Sequence, residues 1–349
     1  MDSASRTLLI RADADGQIGT GHVMRCLALA ETWQEEGGMA RIVTTAGVPE
    51  WVRLRLSEAG IPIEILDANA GSRDDALVTA RRAQDLAAGA IVLDGTSFDA
   101  SFLRLMPSGP WWTLVVDDTG GRYSAVDFVV NPNFGASVEL YSGCDSGVRL
   151  LLGIEYALLR REFRSARSPW RRREDRAFRL LATFGGGDTD SELCRFLEWI
   201  APDSLSRELK VVVTGEADFA QRALHALSGS FASTDIVRQP ANMAAAMGWA
   251  DLVVIRAGGT LWEAMCMGTP VASFSINRVQ ENILRRLSDA DHILYLGDWK
   301  AASSTTVRHR LRKLETDWAT QKRMSKAGMK LIDGRGARRV AQFLARPKA

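Results

Sequence analysis

The sequence predicts an α/β protein built from two Rossmann-like, doubly wound domains. Three observations carry that reading. Short apolar runs recur along the chain, each followed by a stretch with apolar residues at helical spacing. The alternation restarts in the second half, after an arginine-rich interruption. Each half also places glycine-rich turns between a strand and a helix, at Gly16, Gly19 and Gly21, and again at Gly185-Gly186-Gly187 and Gly258-Gly259. At 349 residues the chain is long for a single hydrophobic core, and usual domain sizes suggest two.

In the first half, Thr7 to Ile10 reads as a buried strand, and Val23, Leu27, Leu29, Ala30 and Trp33 mark the helix after it. The turn between them is a place for an anion, because the first N–H groups of a helix lack intrahelical partners and glycines let a phosphate approach. His22 stands at that point, with a side chain suited to accept or relay a proton at neutral pH. Further strands are expected over Ala40 to Thr45, Ile61 to Leu66, Ala90 to Gly95, Trp112 to Val116 and Asp127 to Val130. Helices are expected over Trp51 to Ala59, with Leu54 and Leu56 partly inward, and over the amphipathic stretch Asp74 to Ala88. Ligands of such sheets bind beyond the carboxyl ends of the strands. The polar residues there are Asp13, Asp94, Asp117-Asp118 and Asn131-Pro132-Asn133, each of which would also serve as an ordinary turn or cap.

Eight arginines between Arg160 and Arg176, around Ser168-Pro169, read as a solvated linker. They divide the chain into an N-terminal domain over 1–165, a C-terminal nucleotide-binding domain over 176–330 and a final helix within 331–349. In the second half, strands are expected over Phe178 to Phe184, Leu209 to Thr214, Asp251 to Ile255 and Pro270 to Phe274. Helices are expected over Ser191 to Ile200 and Ala244 to Trp249, with others after Gly258 and from Gln280-Glu281-Asn282. Gly258-Gly259-Thr260 is the stronger phosphate cradle of this half, offering N–H groups and one hydroxyl to a diphosphate. Glu263, one turn on, suits the vicinal hydroxyls of a ribose, although an acid near a helix start also pairs with the dipole. One ligand bound between the two domains is the simplest way to use both cradles.

Composition narrows the classes. With 46% hydrophobic and 25% charged residues the chain is an ordinary globular protein. No apolar run approaches the roughly 20 residues that span a bilayer, and the N-terminus lacks a signal-peptide layout. The expectation is a cytoplasmic protein without stable membrane insertion. A net charge of +2 argues against a nucleic-acid partner. Cys26, Cys144, Cys194 and Cys266 are scattered, so neither a disulfide framework nor a metal site is expected, and nothing calls for a cofactor. Trp111-Trp112 reads as core packing, with an apolar surface patch as the alternative. Nothing in the sequence specifies an oligomer.

Several stretches together resemble one family. Arg11-Ala12-Asp13 and Gly19-x-Gly21-His22-x-Met24-Arg25-Cys26-Leu27-x-Leu29-Ala30 resemble the opening of the UDP-2,4-diacetamido-2,4,6-trideoxy-β-L-altropyranose hydrolases of pseudaminic acid biosynthesis and of related spore-coat polysaccharide proteins. The likeness continues through Asp117-Asp118, Leu152-Gly153-x-Glu155-Tyr156-Ala157-Leu158-Leu159-Arg160-x-Glu162-Phe163, Phe184-Gly185-Gly186-x-Asp188 and Asn242-Met243. It ends with the Gly258 turn, Gln280 and Asp333-Gly334-x-Gly336-Ala337-x-Arg339. The family is similar in fold to two-domain GT-B glycosyltransferases, so the resemblance implies two domains facing a cleft. It implies a UDP-sugar substrate held mainly by the C-terminal domain, with His22 accepting a proton from the water that attacks C1. On the same basis Arg11, Asp13, Gly19, Gly21, Arg25 and Asp94 of the first domain border the substrate. Gly187, Asn242, Met243, Gly258, Gly259, Thr260, Glu263, Gln280 and Asn282 border it in the second. The chain departs from the hydrolase pattern at Thr96, Gly259 and Val279, where the family carries Tyr, Ser and Asn. Arg256-Ala257-Gly258 is similar instead to the Arg-Ser-Gly turn of the peptidoglycan N-acetylglucosaminyl transferase. A glycosyltransferase acting on a UDP-sugar is therefore the alternative, and a non-catalytic sugar-nucleotide-binding module a third reading.

Overall fold

The computed structural model describes residues 7–348 apart from 17, 46, 170–176, 186–188, 204–206, 214–226, 228–229 and 347. The chain divides into two compact units, Met1–Arg161 with Gly334–Ala349, and Glu162–Asp333. In the first unit the order is β1 (Thr7–Ala12), α1 (Gly21–Glu35), β2 (Met39–Thr44), α2 (Glu50–Glu58), β3 (Ile63–Ile65), α3 (Arg73–Asp85) and β4 (Ala90–Asp94). Then come α4 (Ala100–Leu105), β5 (Trp112–Val116), β6 (Phe128–Asn131), β7 (Arg149–Leu152) and α5 (Arg161–Ser165), the last at the boundary. The strands form one parallel sheet in the order β3-β2-β1-β4-β5-β6-β7.

Alternation along the strands sorts side chains onto its two faces. Leu8, Ile10, Val92 and Leu114 join the core under α1, whereas Leu9, Ile91, Leu93 and Val115 join the core under α3 and α4. Buried on both faces, the strands read as the near-continuous apolar runs expected of a parallel sheet.

The second unit contains β8 (Phe178–Thr183), α6 (Asp190–Ile200), β9 (Arg207–Val213), β10 (Ser233–Arg238), α7 (Met243–Trp249), β11 (Leu252–Arg256) and α8 (Gly259–Met267). It continues with β12 (Val271–Ser275), α9 (Arg278–Asp289), β13 (Leu294–Asp298), α10 (Ser304–Thr316) and α11 (Trp318–Leu331). Its sheet is also parallel, in the order β10-β9-β8-β11-β12-β13. Phe184, Phe196, Phe274 and Trp299 pack edge-on or tilted in its core. Among the described residues, no helix is long and apolar enough to cross a membrane.

Several expectations need correction. Leu54 is 56% exposed while Leu56 is buried, because only the latter lies on the inner face of the short helix α2. Strand β7 and helix α4 were too short to stand out. The arginine run is not simply solvated: Arg167 donates to the carbonyls of Cys266, Met329 and Ile332, fastening the segment after α5 to α8 and α11. Residues 170–176 of that run lie outside the described residues. Trp111 is buried, and Trp112 donates through Nε1 to the Arg346 carbonyl at 2.6 Å, so this pair packs as expected.

The last helix, α12 (Gly336–Leu344), returns to the first unit, burying Val340, Ala341 and Leu344 against α1. It docks on the segment after β7, where Arg339 donates to the Glu155 carbonyl at 2.8 Å. A Cβ on Gly336 would overlap the Ala157 carbonyl oxygen and the Tyr156 backbone. Since neither is the flexible end of a side chain, Gly336→Ala is expected to cost about 1–3 kcal/mol, read as a lowered denaturant midpoint. An unchanged midpoint would mean that α12 can shift freely.

Candidate functional site

In a doubly wound sheet the chain leaves in opposite directions from two neighbouring strands, and the crevice outside their carboxyl ends receives the ligand. That switch point falls between β1 and β4 in the first unit and between β8 and β11 in the second. The glycine turns after β1 and β11 therefore stand at the two switch points, and Gly185 directly follows β8 at the second.

Asp94 ends β4 in register with Ala12 of β1 and Val116 of β5. It shares its side of the strand with Val92, on the α1 face, and there its carboxylate is completely buried. His22 Nδ1 lies 2.7 Å from Asp94 Oδ1. Arg25 donates to both carboxylate oxygens, Nε to Oδ2 and Nη2 to Oδ1, each at 2.6 Å. Cys26 Sγ reaches Oδ2 at 3.4 Å. Residues three and four apart share a helix face, which is why positions 22, 25 and 26 meet one carboxylate. Arg25 also donates to Asp118 Oδ1 at 2.8 Å, and Asn133 Nδ2 donates to that same oxygen at 2.9 Å.

The proton positions follow from charge. Burial alone would push the Asp94 carboxyl up, but the charge and hydrogen bonds of Arg25, aided by His22, outweigh it and hold the group at about 2. An ionised carboxylate only accepts, so His22 Nδ1 carries a hydrogen, and in the neutral form of the ring the lone pair then lies on Nε2. Arg25 Nη2, 3.2 Å from His22 Nδ1, is likewise a donor; the two share Asp94 Oδ1 and do not bond each other. Burial and the Asp94 charge raise the Cys26 thiol well above its ordinary value, so it stays neutral. His22 retains 22% side-chain exposure against none for Asp94, making the imidazole the member of the pair that meets solvent.

The start of α1 is open. Gly19 has φ 77°, a conformation glycine adopts without strain, and its N–H closes the turn onto the Asp15 carbonyl at 3.0 Å. Thr20 makes no side-chain cap, the first turn holds no acid, and a Cβ on Gly21 would meet nothing within 4 Å.

Arg11 and Asp13, expected beside the substrate, serve the scaffold. Arg11 is fully buried on the opposite face of β1 from Asp94, bonded to both Asp75 oxygens at 2.8 and 3.0 Å and stacked on Phe98. With no surface exposed it has none to offer a ligand. Asp13 accepts from Arg11 at 2.6 Å and from Thr44 Oγ1, Thr45 N and Thr45 Oγ1 at 2.8–3.1 Å. Burial would raise the Asp13 carboxyl, yet these partners hold it below its ordinary value. Asp75 escaped notice in the sequence because an acid in the first turn of a helix looks like an ordinary dipole partner.

In the second unit, β11 runs into Gly258 and α8. Cβ atoms on Gly258 or Gly259 would meet nothing within 4 Å, the helix start lacks a side-chain cap, and its first turn holds no acid. Thr260 follows in that turn, and Glu263 lies half-buried further along α8. Gln280 braces the turn: its Oε1 accepts from Ile276 N at 3.1 Å and its Nε2 lies 3.5 Å from the Ala257 carbonyl. Its amide is thus engaged by backbone, so it positions the turn. Arg256, at the end of β11, pairs with Glu192 of α6 and so links that strand to the helix after β8. Asn242 caps α7 by accepting from Ala245 N at 2.8 Å, and Met243 begins that helix, which packs beside α8. Asn282 is exposed on α9, and Gly187 lies outside the described residues. Among the described residues, no group of acids, histidines and cysteines could hold a metal ion.

Comparison with known proteins agrees with this architecture. Residues 183–338 match the glycosyltransferase family 28 C-terminal domain. The spore coat polysaccharide biosynthesis protein SpsG of Bacillus subtilis is 24% identical over 233 residues, covering 66% of this chain and 68% of its own. Acinetobacter baumannii MurG superposes with a TM-score of 0.63 at 15% identity, over 97% of this chain and 99% of its own. The Staphylococcus aureus MnaA–UDP co-structure gives 0.66 at 14% identity, over 97% and 95%. The chain thus has the GT-B fold, and its residues 183–338 are similar to the C-terminal domain of family 28 glycosyltransferases.

Asp94 also makes acid stability testable. Its folded value of about 2 lies below the ordinary 3.8, so its contribution is complete above about pH 4 and disappears as pH falls through about 2. That contribution is about 2 kcal/mol. Asp94→Asn is expected to be several kcal/mol less stable at neutral pH, because Arg25 loses a buried partner. The gap from wild type should narrow between about pH 4 and pH 2 in denaturant titrations; a constant gap would contradict the assigned ionisation.

Proposed function

We propose that this chain is a sugar-transfer enzyme that cleaves the anomeric C–O bond of a UDP-sugar and passes the sugar to an acceptor hydroxyl, with His22 as general base. The observation that carries this reading is the Asp94–His22 pair, which leaves a base nitrogen on an imidazole retaining 22% exposure at an open helix start. His22 Nε2 takes the acceptor proton as the acceptor oxygen attacks C1, and the bond from C1 to the UDP oxygen breaks with inversion. Asp94 stabilises the imidazolium that forms. The N–H groups of the Gly258-Gly259-Thr260 turn take the diphosphate charge, and the Glu263 carboxylate accepts from the ribose hydroxyls. Support for the nucleotide comes from the family 28 match, which includes this turn, and from UDP in the MnaA co-structure. Support for a polysaccharide-building role comes from the SpsG likeness.

Hydrolysis is the second reading, favoured by the resemblance of the opening motif through Gly21-His22 to the diacetamido-trideoxyhexose hydrolases. The chemistry differs only in whether water or an alcohol gives its proton to His22. The deciding assay follows UDP release from a panel of UDP-amino sugars, in water alone and with acceptor alcohols or glycans. Rate enhancement by an acceptor, with a glycosylated product, is the expected outcome; equal release in water without such a product would establish the hydrolase. His22→Ala is expected to lower turnover by about 10²-fold or more while leaving UDP affinity within about twofold. Retained turnover would remove His22 from the mechanism.

Gly259→Asp tests the nucleotide site separately. Its side chain enters open space, so the fold should persist. A carboxylate beside the diphosphate should weaken UDP binding by about tenfold or more, measured calorimetrically. Unchanged affinity would place the nucleotide elsewhere.

A further inference from the structure

Arg25 stands out among the residues around His22 because it is neither a solvated cation nor the partner of a single acid. Its Nη2 and the His22 Nδ1–H converge on the same oxygen, Asp94 Oδ1, from 2.6 and 2.7 Å. Its other terminal nitrogen bonds Asp118, whose side chain is 39% exposed. Among the described residues, the charged and titratable groups bonded to the imidazole or to its partners are Asp94 from β4, Arg25 and the neutral Cys26 from α1, and Asp118 after β5, with the uncharged Asn133 after β6 behind Asp118.

An aspartate facing a histidine alone favours the imidazolium, which cannot act as a base. A guanidinium 3.2 Å from Nδ1 opposes that effect. With neutral His22 the set Asp94, Arg25 and Asp118 carries one net negative charge; with His22 protonated it carries none.

We propose that Arg25 is the positioning residue that sets the proton affinity of His22, offsetting Asp94 so that the imidazole is free to accept a proton, while Asp118 restores part of the attraction once it has done so. This rests on His22 being the base of the proposed reaction. Asp94 fixes the tautomer, and the balance between Arg25 and Asp118 fixes the pH range over which that tautomer persists. The two residues push in opposite directions, which a purely structural role does not require.

The test is the NMR titration of the His22 imidazole in the full-length protein, its signal assigned by loss in His22→Gln, alongside the pH profile of UDP release. In Arg25→Gln the midpoint and the acid limb of the rate profile should both move up by about one pH unit. In Asp118→Asn both should move down, by about half a unit because that carboxylate is longer-range and partly solvated. Arg25→Lys, which keeps the charge and loses the fork, should stay close to wild type in midpoint. Movement of Arg25→Gln and Asp118→Asn in the same direction, or of neither, overturns the proposal. Should Arg25→Gln not fold, the downward shift in Asp118→Asn still decides it. Opposite NMR shifts without sugar-dependent UDP release would uphold the electrostatic assignment while defeating the proposed reaction; turnover with unmoved midpoints would do the reverse.

Discussion

The first unit is organised around the demand of one buried charge. Asp94 is withdrawn entirely from water at the end of a central strand, and an ionised carboxylate there is tolerable only if charged and hydrogen-bonding partners replace its hydration. Arg25 supplies two bonds and the counter-charge, His22 a third and Cys26 a weak fourth. All three sit on one face of α1, so satisfying Asp94 also fixes the rotation of that helix. Further along, Glu31 accepts from Arg161 N at 2.7 Å and secures the same helix to the segment that begins α5. The imidazole consequently has little freedom, and its tautomer is decided by the carboxylate beneath it.

A second buried network holds the opposite face without competing for the same partners. Arg11 follows the alternation of β1 away from Asp94 and is neutralised by Asp75 of α3 and by Asp13. Asp13 in turn gathers Thr44 and Thr45 at the end of β2. The loop from Asp13 to Thr20 thus departs from a fixed point and ends on a helix whose rotation is also fixed. Breaking either network would strand a buried charge, which costs more than its pairing contributes. This arrangement holds the loop between β1 and α1 by its two ends.

Much of the fold was legible because parallel sheets write themselves as apolar runs and because glycine turns punctuate them. The strands from β1 to β12 that carry the switch points follow those runs, and His22 was marked by its position after two glycines. What the sequence could not show was pairing. Arg11 and Arg25 look alike as arginines beside the opening motif, yet strand parity seals one within the core and helix spacing brings the other to Asp94. Gln280 has the character of a ligand-binding amide, but its bonds to Ile276 and Ala257 become visible only when β11 and β12 lie side by side. Asn242 likewise combines a place in the family resemblance with a helix cap, and only the structure shows its Oδ1 accepting from Ala245 N.

The stretches that carry the family resemblance also separate into two kinds. Gly153 to Phe163 and Asp333 to Arg339 meet each other, through Gly336 against Ala157 and Arg339 on Glu155, so their likeness speaks for how the last helix docks. The likeness at His22 and Arg25 falls instead on the network around the buried Asp94 carboxylate. The departures at Thr96, Gly259 and Val279 all fall on exposed positions, in or beside the turns after β4, β11 and β12. They have no packing to preserve, so the fold tolerates substitution at each of them. Under the proposed mechanism, change confined to exposed turns is the route by which one scaffold would exchange water for an alcohol as acceptor without changing how the proton is removed.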